Sequence, residues 1–191
     1  MTFVGGRAAM TPSAGYPHEL VDEVALPGDR VLRVRPLRRC EDGPVRELYS
    51  GLSPATRYLR FFSPMPALPD SLLRLITGVD YRRRLALLAE FPTADGAHVV
   101  ALANFGATDD GRAEVALVVR DEWQRQGIGT IVADRLLRAA EARGFHRFVA
   151  HALWDNRAIR SLLRRVGNVV STRTCHGVVE VSFVSKSSLR S

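Results

Sequence analysis

The residues with the clearest chemical potential are two glycines at the start of a predicted helix. Residues 124–130 read Gln-Arg-Gln-Gly-Ile-Gly-Thr, and they lie between an apolar run, Glu114–Val119, and an amphipathic segment that reaches about Arg143. Glycines at the mouth of a helix let backbone N–H groups approach an anion closely, and the helix dipole favours negative charge there. The segment therefore predicts a site for a phosphate-bearing ligand.

Two well-known phosphate loops do not fit this segment. A P-loop ends in Gly-Lys-Ser/Thr, whereas the only lysine of the chain is Lys186. A dinucleotide-binding loop needs a third Gly or Ala at position 132, where Val132 stands, and its first glycine follows the strand closely. Here seven residues separate Val119 from Gly127. A purely structural loop at a helix start is the alternative that the motif alone leaves open.

The flanking sequence predicts the elements that position this loop. Ser53-Pro54 is typical of a helix start, with Ser as N-cap and Pro at the first helical position. Strands are expected over 31–36, 84–91, 99–105, 113–120, 146–152, 169–172 and 177–184, with 21–26 as an earlier strand or a lead-in. Helices are expected over 41–52, from 54, over 71–77 after Asp70 as cap, from 128 to a C-cap at Gly144, and from Asp155 as cap to Gly167. This order predicts a mixed sheet with helices on its faces.

Composition limits the classes of protein. A length of 191 residues suits one domain, and no apolar run approaches the ~20 residues of a membrane span. The N-terminus lacks the basic and apolar regions of a signal peptide. We therefore expect a flexible tail over 1–20, a domain over 21–185, a short tail over 186–191 and a cytoplasmic location.

Neither the cysteines nor the charge indicates a further site. Cys40 and Cys175 have no metal-binding spacing, and we expect two separate, buried or half-buried thiols. The net charge of +7 would attract phosphates, nucleic acid or acidic proteins. The basic residues are spread along the chain without interleaved aromatic residues, which argues against nucleic-acid binding.

The motif and its surroundings resemble a known family. Gln124-x-x-Gly127-x-Gly129, with Trp123 ahead of it and Asn156 at the start of a later helix, is similar to the R/Q-x-x-G-x-G/A region of the GNAT superfamily of acyl-CoA N-acyltransferases. The resemblance runs from Arg33 to about Val184. Leu52–Phe62 and Ala113–Val119 further resemble the catalytic domain of bacterial protein-lysine acetyltransferases. The implied fold is a single α/β (α+β) GNAT-like domain, with a mixed, mostly antiparallel central sheet splayed in the middle and helices on both faces.

The resemblance also implies an activity. It is the transfer of an acetyl group from acetyl-CoA to a primary amine by direct attack in a ternary complex, without a metal. A protein lysine, as in an acyl-CoA ligase, is the favoured acceptor. A small-molecule amine, or a catalytically weak acyl-CoA sensor, is the alternative. The implied cofactor contacts are Leu117, Val118 and Val119 for the pantetheine amides, Gln124, Arg125, Gln126, Gly127, Ile128, Gly129 and Thr130 for the pyrophosphate, and Asn156 for the cofactor arm, unless Asn156 only starts a helix.

Catalysis needs a base, because an amine with a pKa of about 10.4 arrives protonated. Glu114 is the candidate: it shares a strand face with Ala116 and Val118, where burial of a carboxylate is costly, and the family carries a glutamate there. The alternative is that Glu114 lies at the end of the strand and forms a solvent-exposed ion pair with Arg112. His151 is the second candidate, as a proton relay or as an ordinary strand histidine.

Two further features bear on the site. Many GNAT enzymes carry a tyrosine seven residues after the asparagine, and Leu163 stands at that position here. The segment from Tyr58 to Asp70, with Phe61 and Phe62, is expected to form part of the acceptor wall, or else to pack on the sheet.

Overall fold

The computed structural model describes residues 15–94 and 96–186. In this part of the chain, single 3₁₀ turns lie at His18–Leu20 and Asp121–Trp123. The strands are β1 (Asp22–Leu26), β2 (Arg30–Pro36), β3 (Arg84–Thr93), β4 (Gly96–Ala107), β5 (Ala113–Val119), β6 (Phe148–Leu153), β7 (Gly167–Cys175) and β8 (Val178–Ser185). The helices are α1 (Asp42–Ser50), α2 (Pro54–Phe61), α3 (Asp70–Thr77), α4 (Ile128–Glu141) and α5 (Arg157–Val166).

All eight strands form one sheet in the order β1-β2-β3-β4-β5-β6-β8-β7. Every neighbouring pair is antiparallel except β5 and β6, which are parallel. These two strands pair only at Ala113–Phe148 and Glu114–Val149, and then they part. The expected mixed sheet, splayed in its middle, is confirmed.

The two faces of β5 point to different helices. A Cβ added at Gly129 of α4 would lie 3.4 Å from the Leu117 side chain and 3.5 Å from that of Val119, so the odd-numbered residues face α4. On the other face, Arg60 of α2 donates to Asn104, which pairs with Ala116. Helices therefore cover both faces, and the even-numbered residues of β5, Glu114 among them, lie on the α2 side.

The core continues under the second half of the sheet. Phe148 of β6 stacks on Phe183 of β8 with ring centroids 5.5 Å apart, and both are fully buried. The chain passes from α5 into β7 directly at Gly167, where a Cβ would come within 2.4 Å of the Phe183 ring. Only glycine fits this junction, because a close-packed core leaves no room for a side chain.

Several boundaries differ from the sequence-based expectation. β3 and β4 extend beyond the expected strands over 84–91 and 99–105 and pair as far as Thr93–Gly96, since cross-strand hydrogen bonds continue there. Pro69 rather than Asp70 is the N-cap of α3, and Asn156 rather than Asp155 is the N-cap of α5. The helix α4 ends at Glu141, and Gly144 follows with a φ of +88°.

The described part of the chain includes the end of the expected N-terminal tail and both cysteines. Residues 1–14 of the expected N-terminal tail, and 187–191 of the C-terminal tail, lie outside the described residues. Tyr16 donates through its hydroxyl to the Pro36 carbonyl at 3.0 Å. Cys40 and Cys175 are free, as expected, but both are exposed rather than buried. Within residues 15–94 and 96–186, no helix is both long and apolar enough to cross a membrane.

The β7–β8 hairpin has a two-residue turn, His176-Gly177, with φ values of +48° and +79°. Two positive φ values in succession are typical of the type I′ turn, which matches the twist of the strands on either side. The Gly177 carbonyl also accepts from the Trp154 N–H at 3.0 Å, which joins the turn to the end of β6.

A buried ion-pair network fixes the first half of the sheet. Glu90 is 2% exposed, and both of its carboxylate oxygens accept from Arg35 Nε at 3.0 Å. The two terminal nitrogens of Arg35 donate to Glu41 at 2.9 Å. Burial alone would lower the pKa of Arg35, but the two carboxylates raise it above its ordinary value. The network thus holds β2, β3 and the start of α1 together through a guanidinium that stays charged.

Removal of Glu90 should destabilise the fold strongly. We expect Glu90→Ala to lower the free energy of unfolding by about 3 kcal/mol, because the largely buried Arg35 loses one of its two carboxylate partners and keeps only Glu41. Urea denaturation measures the change. The control is Arg46→Ala, which breaks the exposed Arg46–Asp70 pair and should cost at most about 1 kcal/mol. Equal losses in the two variants would contradict the assigned role of the network.

Candidate active site

A cleft of about 820 Å³ opens where β5 and β6 part. Its walls come from α2, β5, the glycine-rich loop, α4, β6 and α5. Most of the candidate residues line it: Glu114, Leu117, Val118, Val119, Gln124, Arg125, Gly127, Gly129, Thr130, His151 and Asn156. Two do not. Ile128 is fully buried in the core, and the exposed Gln126 side chain donates to the Glu122 carbonyl and accepts from Arg30.

The glycine-rich loop turns sharply into α4. Arg125 and Gly127 have φ values of +62° and +87°, and α4 begins at Ile128. The Gln124 amide supports the turn from inside, since its Nε2 donates to the Val119 carbonyl at 3.0 Å and to the Thr56 hydroxyl at 3.3 Å. The first N–H groups of a helix have no acceptor within the helix. The N-terminus of α4 therefore presents donors and a positive dipole end at the cleft.

Trp123 packs against the first half of the sheet. Its ring lies 4.4 Å from the Phe91 ring, centroid to centroid, and the Arg30 guanidinium lies 5.5 Å from its ring centroid. The aromatic residue ahead of the motif thus attaches the loop to β2 and β3. Its role in the described structure is packing.

Asp121 ties the same loop to α2. Its carboxylate accepts from the Ser53 N–H at 2.9 Å and from the hydroxyls of Ser53 and Thr56, each at 2.7 Å. Partial burial would raise the pKa of Asp121, but these hydrogen bonds lower it below the ordinary value. The start of α2 forms one wall of the cleft. Asp121 consequently fixes it to the loop that follows the C-terminal end of β5. Neither Asp121 nor its partners were candidates from the sequence.

Glu114 lies at the point where the two strands part. Its side chain is 54% exposed, so the expected burial is wrong: the strand end opens to the cleft and to solvent. It is not paired with Arg112, which instead binds Asp110 at 2.7 Å and lies 3.4 Å from Glu180. The partner of Glu114 is His151, whose Nδ1 lies 3.2 Å from Oε1. The two candidate proton carriers are therefore in direct contact.

Arg60 lies in the segment expected at the acceptor wall, but the sequence did not single it out as a site residue. Its guanidinium lies 4.9 Å from the Phe61 ring centroid and donates to the Asn104 side chain at 3.2 Å, and it lines the cleft. Burial lowers its pKa to about 10, although the charge of Glu114 opposes that shift. The i, i+4 spacing of Thr56 and Arg60 is the signal that would have placed both on the cleft side of α2.

The remaining candidates divide between packing and the cleft. Phe62 lines the cleft, whereas Phe61 packs on Tyr49 with centroids 5.7 Å apart. Asn156 Oδ1 accepts from the Ile159 N–H at 3.2 Å and so caps α5 while lining the cleft. Leu163 is buried in the cleft wall, so this position supplies no hydroxyl. In the described part of the chain, no three His, Cys, Asp or Glu side chains are arranged to hold a metal ion.

Comparisons with known proteins agree on one family. The model of the acetyltransferase (GNAT) family matches residues 53–167. Acetyltransferase PA5475 of Pseudomonas aeruginosa is 27% identical over 146 residues, which cover 76% of this chain and 78% of that protein. Acetyltransferase Pat of Mycolicibacterium smegmatis is 32% identical over 148 residues, which cover 75% of this chain but only 39% of that protein.

Solved structures show the same fold. The GNAT domain of Streptomyces lividans (S. lividans) PAT superposes with a TM-score of 0.77 at 26% identity, covering 89% of this chain and 99% of that domain. A cAMP-binding acyltransferase from Mycobacterium smegmatis gives a TM-score of 0.55 at 25% identity, covering 87% of this chain and 48% of that one. The chain thus spans about half the length, or less, of the two mycobacterial proteins it matches.

Loss of the Asp121 charge should weaken the fold and remove part of its acid sensitivity. A depressed carboxyl pKa contributes stability that is complete well above the ordinary value of 3.8 and is lost as pH falls through the lower folded value. We expect Asp121→Asn to cost about 1 kcal/mol at neutral pH, because solvent screens this exposed group. Its loss of stability below about pH 4 should be shallower than in the wild type.

Chemical denaturation over a pH series measures both effects. The control is Asp109→Asn, which makes the same charge change in the exposed turn after β4. An acid dependence that is identical in wild type and Asp121→Asn would rule out this role for the carboxylate.

Proposed function

Because this chain belongs to the GNAT family of acetyltransferases, we propose that it transfers an acetyl group from acetyl-CoA to a primary amine, with Glu114 as the general base. One observation carries the proposal. The glycine-rich start of α4 and the Glu114–His151 pair open into the same cleft, at the point where β5 and β6 part. An anion cradle and a proton acceptor in one cleft fit a substrate with a phosphate at one end and a reactive carbonyl at the other.

The cleft offers a place for each part of acetyl-CoA. The pyrophosphate would lie on the N–H groups of residues 125–130, with the Arg125 charge beside it. No atom lies within 4 Å of a Cβ built at Gly127, so the phosphates can approach the backbone there. The pantetheine amides would pair with the backbone of Leu117, Val118 and Val119, on the side that β6 leaves open. Asn156 would contact the cofactor arm from the start of α5.

The chemistry follows from the charges at the parting point. Glu114 accepts a proton from the acceptor ammonium, directly or through one water, and the neutral amine attacks the thioester carbonyl. Arg60 lines the same cleft, and its positive charge interacts with the Glu114 carboxylate. The CoA thiolate then leaves, and the second proton of the attacking nitrogen passes to this thiolate or to water, which gives the neutral amide. Thiols ionise near a pKa of about 8.5, so the thiolate departs without an acid at the Leu163 position.

A protein lysine is the acceptor we favour. The support is the resemblance of Leu52–Phe62 to protein-lysine acetyltransferases, and the exposure of Tyr58 and Phe62, which leaves that side of the cleft open to a large partner. An acyl-CoA ligase is the partner that this resemblance implies. A small amine is the second candidate acceptor, and an acyl-CoA sensor without turnover is the second candidate function.

The first experiment tests Glu114. We expect Glu114→Gln to lower kcat/KM by about 10²- to 10⁴-fold, because the amide cannot accept the proton, while the Kd for CoA stays within about twofold. The assay follows CoA thiol release with small amines, lysine peptides and an acyl-CoA ligase as acceptors. Glu23→Gln, a matched change in β1 away from the cleft, should retain the wild-type rate.

The outcomes separate the alternatives. A Glu114→Gln variant that binds CoA and transfers acetyl at the wild-type rate would refute the assignment of the base. A wild-type protein that binds CoA but acetylates none of the acceptors would favour the sensor.

A further inference from the structure

A row of polar side chains crosses the second half of the sheet on its α2 side. His151 of β6 is the direct cross-strand partner of Glu180 in β8. Glu114 of β5 pairs with Val149, two residues before His151, so all three side chains lie on one face. Glu180 occupies a polar position in the alternating strand β8, and nothing in the reaction described above uses it.

The imidazole of His151 lies between the two carboxylates. Its Nδ1 is 3.2 Å from Glu114 Oε1, and its Nε2 is 3.6 Å from Glu180 Oε2. The side chains of His151 and Glu180 are 33% and 32% exposed, against 54% for Glu114. The row therefore leads from the cleft to a second carboxylate that also contacts solvent.

Glu180 is itself held in place. Its Oε1 lies 3.4 Å from Arg112 Nη1, and the same nitrogen donates to Ser182 at 3.2 Å. Arg112 is fixed in turn by Asp110 at 2.7 Å. These contacts occupy one oxygen of Glu180 and leave Oε2 directed at the imidazole.

This arrangement suits an imidazole that passes protons. A neutral ring with its proton on Nε2 points that N–H group at Glu180, 3.6 Å away, and turns the Nδ1 lone pair towards Glu114. When Glu114 carries a proton, its O–H can donate to that lone pair. Transfer to Nδ1, with release of the Nε2 proton to Glu180 or to water, returns Glu114 to its carboxylate form. One proton enters the ring and one leaves, and nothing is oxidised or reduced. The ring is then protonated on Nδ1, and proton exchange with solvent at the 33% exposed side chain returns it to the Nε2–H form before the next turnover.

We propose that Glu180 is a positioning residue that makes His151 the proton exit for Glu114. The inference rests on the proposed acetyl transfer. In each turnover the N–H bond of the acceptor ammonium breaks, the proton passes through Glu114 and His151, and it leaves by way of Glu180. Arg112 keeps Glu180 pointed at the ring.

Buffer rescue of a Glu180→Gln variant tests the proposal. Glutamine keeps the shape of the side chain, and its oxygen can still face the Nε2–H group, but it cannot take the proton. With the panel amine that the wild type acetylates fastest, we expect kcat to fall about tenfold at low buffer concentration, below the range for loss of a direct base. The acceptor KM and the CoA Kd should stay within about twofold. Rising concentrations of imidazole buffer should restore kcat, because free imidazole removes the proton instead.

Two control variants are assayed together with Glu180→Gln. Arg173→Gln changes a charge on β7 directly opposite Glu180, and it should be neither slow nor sensitive to buffer. Glu114→Gln should be slow and should not be rescued. If Glu180→Gln has the wild-type rate while Glu114→Gln is slow, the proton exit is refuted and the proposed function stands.

The remaining outcomes would overturn the proton exit, either alone or together with the proposed function. A slow Glu180→Gln variant that imidazole does not rescue, or an equally slow Arg173→Gln, would show a structural role and overturn the proposal. A Glu114→Gln variant as fast as the wild type, or a wild type without transfer, would refute the proposed function and the proton exit with it.

Discussion

The parting of β5 and β6 is the constraint on which the site depends. Pairing between them stops after two residue pairs, so the backbone of 115–119 faces an open channel on its β6 side. A backbone N–H or C=O group left without a partner away from water costs free energy. A ligand that carries amides could therefore form, with this edge of β5, the hydrogen bonds that a neighbouring strand would otherwise form. The same parting leaves Glu114 at the mouth of the channel and admits the N-terminus of α4 to its other end.

Around this channel, groups of opposite charge are ordered across one face of the sheet. Arg60 of α2, Glu114 of β5, His151 of β6 and Glu180 of β8 follow one another, and Arg112, just before β5, lies beside Glu180. Each carboxylate therefore has a cation or an imidazole beside it. The Asp121 cluster joins this face to the glycine-rich loop, because it fixes the start of α2 to the segment that precedes α4. Two walls of the cleft are consequently parts of one hydrogen-bonded unit.

Local signals in the sequence were enough for the helices and strands, and the family resemblance supplied the splayed, mostly antiparallel sheet. Period-two strands, Ser53-Pro54 and the paired glycines each act over a few residues, and the structure places strands, helix and loop as they predict. The exposure of Glu114 and the roles of Arg60 and Glu180 depend on contacts between elements far apart in the chain. The register of β8 against β6, which sets Glu180 beside His151, leaves no trace in either strand alone. Adjacent Asp155 and Asn156 were equally good caps by type, and only backbone geometry selects Asn156.

The turn at His176-Gly177 has a consequence for divergence within the family. The hairpin fixes the turn to β7, and the Trp154–Gly177 hydrogen bond fixes it to the end of β6. The number of residues after Gly177 therefore determines which residue of β8 lies opposite His151. One residue more between Gly177 and Glu180 would place Val179 there and turn the carboxylate to the other face. A change in hairpin length, without any substitution in the strand, would therefore replace the acidic residue beside His151 by an apolar one, in evolution or in design.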